Sequence, residues 1–328
     1  MTTGATIKKK VLFWSKVLAY GCALFILAYL LWPNGTPYPK YEKYFSNEDA
    51  TPKEIADELY LKGYLKNRLS YLALLTWNEI SGGIETGGYF VSSSMNVASI
   101  YDSLSHPEYK SITIAEGLRK EEIAQIYQRN LNWTDIETDA FAEARACFAD
   151  NSEGYLFPST YYVSIDSKPE EIKLEMKKRF EETVGTPAKN IDGGILNLDT
   201  TITIASIIQR ESGGKKDMKL ISGIIWNRLF DDMALDIDAT LQYAKGNDAK
   251  WWPKVLPKDK YIDSPYNTYQ NKGLPPGAIS NPGLAAIEAA QNPEDTNCLF
   301  YLHDENRKIH CSKTYEQHVA KVKLYLQS

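Results

Sequence analysis

An apolar run from Val11 to Trp32, interrupted only by Ser15 and Lys16 and headed by Lys8-Lys9-Lys10, constrains this chain more than any other feature. As a helix advancing about 1.5 Å per residue, it is long enough to cover the roughly 30 Å hydrocarbon core of a bilayer. Lys16 can snorkel toward the headgroups, and Trp14 and Trp32 suit the two interfaces. The basic cluster precedes the run, so the positive-inside rule keeps the N-terminus cytoplasmic and sends the remainder across. The run closes on Leu-Leu-Trp-Pro rather than on a small-x-small site, which favours a retained anchor over a cleaved signal peptide. The expected layout is a tail over 1–10, a transmembrane helix over 11–32 and a linker over 33–48, kept extended by Pro33, Pro37 and Pro39.

The 328 residues leave room for that anchor and roughly two folded domains. A net charge of -5 argues against a nucleic-acid partner, because a phosphate-backbone binder presents a basic face. The 22 Tyr and 7 Trp suit sugar rings, although Tyr is also an ordinary strand residue. Beyond Cys22 in the apolar run stand Cys147, Cys298 and Cys311, an odd trio that reads more readily as buried free thiols than as a disulfide framework. A Cys298–Cys311 bridge stays open if the downstream part is exported. HExxH, GxSxG, Walker and GxGxxG patterns are all missing, so no metal or other cofactor is expected.

The pattern along the exported part is α+β. Helices are expected over 52–66, stopped by Gly63, and over 68–80, with Gly82-Gly83 and Gly87-Gly88 turning into a strand YFVS. A helix over about 94–105 and the strand KSITIAEG complete a small α+β unit without any chemical constellation. Helices follow at LRKEEIAQIYQRN, 135–149, 170–184 and TTITIASIIQRES, the last capped by Asp199 and Thr200. KKDMKLISGIIWNRLF resumes as a helix after Gly213-Gly214. Loops then lead to a hairpin-like CLFYLHDENRKIHCSK and a terminal helix.

On a 3.6-residue period Ile204, Ile208 and Glu211 share one helix face. A carboxyl held against apolar side chains is pushed toward its neutral form, which is what a general acid near neutral pH needs; an acid at a fraying helix end would be inert. Gln209 is no rival, since an amide cannot deliver a proton. The loop Ser264-Pro265-Tyr266-Asn267-Thr268-Tyr269, with Gly273-Leu274-Pro275-Pro276-Gly277 after it, offers hydroxyls, amides and rings to a sugar, and equally has the composition of a plain turn. Asp236 and Asp238 supply a second carboxylate centre or cap a loop.

EGYLFPSTY (153–161), ITIASIIQRES (202–212), NRL (227–229) and MALDIDATLQY (233–243) keep their order with SPYNTY (264–269) and GLPPGAISNPG (273–283). His310, Ser312, Thr314, Tyr315 and His318 close the series. Over about residues 115–328 these blocks resemble the YceG-like endolytic murein transglycosylases. The family commonly has Glu-x-Glu where this chain has Gln209 and Glu211, Asp where it has Ser159, and Glu where it has Gln317.

The resemblance implies a small LysM-like domain over 49–117 and a larger α+β catalytic domain over 118–328. It implies Glu211 as the catalytic residue, with Asn227, Asp238, Ser264, Tyr266, Asn267, Thr268 and Tyr269 lining a substrate groove or bracing the acid. Arg228 would orient substrate or form a structural ion pair. The implied substrate is the peptidoglycan glycan strand, cut within its length to leave 1,6-anhydro ends, with nascent strands as the expected target. The implied place is the bacterial plasma (inner) membrane, the protein crossing it once with its catalytic domain periplasmic, and the implied partners are penicillin-binding proteins of wall synthesis. Two other readings remain open: a non-catalytic peptidoglycan-binding scaffold, and a water-using muramidase with Asp238 as second carboxylate.

Overall fold

In a computed structural model of the chain, the described residues are 3–31, 41–45, 50–69, 71–72, 87–143, 152–188 and 197–326. They fall into two compact units, one of residues 1–111 with 162–165 and one of 112–161 with 166–328. Helix α1 (Thr3–Leu31) covers most of the apolar run. Its continuously described side chains, Leu12–Ile26, are exposed, Trp14, Leu18 and Phe25 among them. Among the described residues no helix is long and apolar enough to cross a membrane.

In the first unit β1 (Tyr41–Phe45) pairs antiparallel with β2 (Gly88–Ser92). The stretch expected as linker therefore contributes a strand. Tyr44 faces Tyr89 across the pair and both are buried, so the apolar face of the strand outweighs the prolines before it. Helix α2 (Pro52–Leu61) starts at Thr51, whose hydroxyl accepts from Glu54 N while the Glu54 carboxylate accepts from Thr51 N at 2.8 Å. It ends at Leu61, five residues before the expected end at 66, just ahead of Gly63, which takes a φ of +81°. Asn96 caps α3 (Val97–Ser105), which buries Val97, Ile100 and Leu104. Strands β3 (Tyr109–Thr113) and β4 (Thr160–Ser164) complete a sheet of order β1-β2-β3-β4. Most of the helix expected over 68–80 and the Gly82-Gly83 turn lie outside the described residues.

The second unit holds helices α4 (Lys120–Leu131), α5 (Asp135–Ala142), α6 (Pro169–Ala188), α7 (Leu198–Glu211), α8 (Met218–Phe230), α9 (Asp238–Lys245) and α10 (Leu284–Gln291). A hairpin of β5 (Phe300–His303) and β6 (Ile309–Ser312) follows, then α11 (Tyr315–Leu326). Helix α5 stops short of the expected 149, and residues 144–151 lie outside those described. At the centre is α7. Every residue from Thr201 to Ile208 is buried, so this helix is wrapped on all sides rather than on one stripe. Its polar members are satisfied locally: Thr201 donates to Asn197 O and Ser206 to Thr203 O, while Ser206 Oγ accepts from Ile279 N. Ala286, Ala289 and Ala290 of α10 belong to the same core, where small side chains let a neighbouring helix approach closely. The cap of α7 is Asn197, whose side chain accepts from Thr200 N at 2.7 Å, and not Asp199 or Thr200. The Asp199 carboxylate accepts instead from the Tyr155 hydroxyl.

Gly154 sits at φ +91°, where a Cβ would meet Ile202 Cγ2 at 2.5 Å and Ala278 Cβ at 2.8 Å. Both left-handed strain and overpacking oppose a side chain there. Gly154→Ala is expected to cost about 2–4 kcal/mol in chemical denaturation. A loss under about 1 kcal/mol would mean that the close approach relaxes freely.

Candidate active site

Glu211 is the last residue of α7, and the chain leaves the helix at Ser212, whose N–H reaches back to Ile208 O. Ile208 and Ile204, one and two turns below it, are fully buried. The turn beyond is organised by Asp217, which accepts from Gly213 N at 3.0 Å and Gly214 N at 3.2 Å. His303 Nε2 meets the same carboxylate at 2.7 Å.

The Glu211 carboxyl is held at both oxygens. Oε2 accepts from the Tyr301 hydroxyl at 2.7 Å, and Oε1 accepts from Ala239 N at a long 3.4 Å. Burial pushes its pKa above the ordinary glutamate range. The bonds from Tyr301 and Ala239 oppose that rise, the Asp238 charge adds to it, and His303 opposes it. Burial dominates, so the site favours a neutral carboxylic acid. Such a group can give up a proton in a sheltered place and take one back.

Tyr269 and Asp238 stand beside this acid. Asp238 opens α9 and its Oδ1 accepts from the Tyr269 hydroxyl at 2.7 Å. Burial first, then the bond to Asp238, push the Tyr269 phenol well up, so it remains a donor. Tyr266 packs on Tyr243 with ring centroids 4.8 Å apart, and its N–H donates to Ser264 Oγ. These two stay partly accessible.

Three residues expected to line a groove are turned inward. Asn267 is fully buried and donates its amide to Lys260 O and Ile262 O, tying the loop to itself. Thr268, 1% exposed, accepts from Ile237 N at 3.0 Å and meets the Thr240 hydroxyl at 2.9 Å, which fixes the start of α9. Asn227 spends its amide on Thr296 O and Cys298 O. Buried amides and hydroxyls must find partners, and in these cases backbone is the nearest. Arg228 likewise braces structure, donating to Leu299 O, Ala234 O and Leu235 O, with Asp236 3.4 Å away. His310 engages Asp304 and stacks on Tyr325, while His318 stacks on Phe300; neither contributes to the Glu211 cluster.

Tyr301, His303 and Asp217 escaped the reading of the sequence. The available signal was the two-residue period of FYLH, which puts Tyr301 and His303 on one face of β5. Cys298 and Cys311 are disulfide-bonded across the base of this hairpin, which corrects the expectation of free thiols there. Tyr301 and Cys311 face one another in its register, so two local demands coincide at one position. Cys22 is free and exposed, and Cys147 lies outside the described residues.

A second buried acid, Glu153, accepts from Asn281 Nδ2 at 2.7 Å, Lys120 N at 3.1 Å and the Tyr243 hydroxyl at 3.3 Å. Burial, followed by the Glu121 charge, pushes it up to about 8. A folded-state pKa above the unfolded one gives stability that is complete below the unfolded pKa and lost as pH rises through the folded value. Stability from this group is therefore expected to decline between about pH 4.5 and 8. Glu153→Gln, whose amide can donate to the Tyr243 oxygen, should flatten that slope in melts across the same window. An unchanged slope would show that Glu153 ionises normally.

The chain matches the YceG-like family over residues 47–324. A protein of Bacillus subtilis (strain 168) named endolytic murein transglycosylase is 30% identical over 272 residues, 76% of this chain and 75% of the relative. One of the same name from Streptococcus pneumoniae serotype 2 is 32% identical over 179 residues, 54% of this chain and 32% of that longer protein. A crystal structure of a yceG-like protein from Listeria monocytogenes superposes with a TM-score of 0.57 at 27% identity. It covers 87% of this chain and all of the other.

Proposed function

The chain belongs to the YceG-like family, and on that premise we propose that it is a lytic transglycosylase cutting peptidoglycan glycan strands within their length, with Glu211 as its acid. The observation that carries the assignment is the desolvated carboxyl of Glu211, held at Oε2 by Tyr301. The acid protonates the oxygen leaving C1 of N-acetylmuramic acid, and the C1–O bond breaks with its electrons going to that oxygen. The resulting carboxylate takes the proton of the same sugar's C6 hydroxyl, whose oxygen bonds to C1 and closes the 1,6-anhydro ring. One carboxyl serves both steps because the nucleophile is tethered to the reacting sugar. Asp238, Ser264, Tyr266 and Tyr269 contact the strand around the acid, while Asn227, Asn267 and Thr268 hold the loops behind them.

Membrane attachment through α1 completes the reading, supported by the basic cluster before it and the exposed Leu12, Phe13, Trp14, Leu18 and Phe25. The N-terminus is then cytoplasmic and the catalytic domain lies on the periplasmic side. There a LysM-like domain over 49–117 binds glycan, nascent strands are the substrate, and penicillin-binding proteins are neighbours.

Mass spectrometry of digested peptidoglycan tests the activity. Internal fragments with 1,6-anhydro ends are expected. New reducing ends would make the protein a muramidase with Asp238 as its second carboxylate, and no new ends would make it a scaffold.

A further inference from the structure

We propose that Tyr301 is the positioning residue of the Glu211 acid: by donating to Oε2 it leaves Oε1 as the oxygen that carries, releases and recovers the catalytic proton. This inference rests on Glu211 being the acid. Its geometric basis is the asymmetry of the two contacts, 2.7 Å from the Tyr301 hydroxyl to Oε2 against 3.4 Å from Ala239 N to Oε1. The carbonyl oxygen of a carboxylic acid accepts more strongly than its hydroxyl oxygen, so the short bond at Oε2 favours the proton on Oε1. Tyr301 remains a donor throughout, because burial first and the Glu211 charge next push its phenol far above the ordinary range. The same bond steadies the carboxylate after it has protonated the leaving oxygen, before it takes the C6 hydroxyl proton. Tyr301 is aimed by the β5–β6 pairing that sets it opposite Cys311, in a hairpin closed by the Cys298–Cys311 bridge.

Other charged and titratable groups face the same acid. They are Arg210 beside it on α7, Asp238 of α9, Tyr269 of the following loop and His303 of β5, with Arg228 of α8 acting on Tyr301. None of them donates a hydrogen bond to a Glu211 oxygen among the described residues, so Tyr301 alone sets the choice of oxygen from the side-chain side.

The test compares the full chain with Tyr301→Phe on isolated glycan strands, reading kcat, KM and the pH profile. The expected result is a kcat lowered about 10–100-fold with KM within about twofold. The alkaline limb should move to higher pH, because losing a donor to the carboxylate favours the acid. Replacing Tyr301 by 3-fluorotyrosine keeps the shape and strengthens the donor, so it should move that limb the opposite way; this arm decides the matter if the phenylalanine variant fails to fold. A limb that stays in place in the folded variants overturns the inference, as does a loss confined to KM. Cleavage by Glu211→Gln in parallel would sink the assignment of the acid itself, whereas an inert Glu211→Gln beside a fully active Tyr301→Phe would sink only the role of Tyr301.

Discussion

Glu211→Gln is expected to abolish anhydro-ended fragments from glycan strands, lowering turnover by about 10²–10⁴-fold or more while the thermal melt stays near that of the parent. Glutamine keeps the shape and can still accept from Tyr301, so the fold should tolerate it. It cannot deliver a proton to the leaving oxygen or recover one from the C6 hydroxyl. Both halves of the reaction lose their agent, which is why the effect should exceed that of removing a supporting hydrogen bond. In the parent enzyme activity should fall as pH rises through the elevated pKa of this group, because the protonated form is the working one. Measured turnover within tenfold of the parent would remove Glu211 from the mechanism and leave Asp238, whose charge acts on it, as the carboxylate to test next.

Asn281→Ala is expected to be strongly destabilising without touching Glu211. Asn281 is fully buried and joins three segments. Its Oδ1 accepts from Gly154 N and Leu156 N, both at 2.9 Å, and its Nδ2 donates to Leu118 O and Glu153 Oε1. Its backbone also exchanges bonds with Gly117 and Leu118, which places the side chain irrespective of its own bonds. Truncation leaves the Gly154 and Leu156 N–H groups without their acceptor in a dry interior and removes one donor each from Leu118 O and Glu153, which keep the Asn281 backbone N–H and the Lys120 N–H. Each orphan costs about 1–3 kcal/mol, not additively, so a total of about 3–5 kcal/mol is expected. For a unit of this size that corresponds to a Tm lower by about 10 °C. Calorimetry showing a shift under about 3 °C would mean that water or rearrangement satisfies the orphans.

Much of the local architecture was legible in the residues. The strand YFVS, the helix near 94–105 and the hairpin between Cys298 and Cys311 all express short-range preferences, and each formed close to where expected. Ends were less legible: α5 stops early, Asn197 displaces Asp199 as a cap, and β1 forms inside a stretch read as linker. Two of those outcomes involve a partner supplied from elsewhere: Tyr89 faces Tyr44 in β1, and Tyr155 engages the Asp199 carboxylate. The polar loop divided in the same manner. Its composition suited either a sugar or a turn, and packing sent Asn267 and Thr268 inward while leaving Ser264, Tyr266 and Tyr269 partly accessible.

The sequence by itself determined that Glu211 would fall in line with Ile204 and Ile208, because the helical period depends only on neighbours along the chain. Only the tertiary structure decided that Tyr301, 90 residues away, would close on Oε2, and that Asp217 and His303 would pair beside it. A hydrogen bond acts over about 3 Å whatever the separation in sequence. The packing of α7 and the hairpin therefore had to bring those groups together before the acid acquired its surroundings.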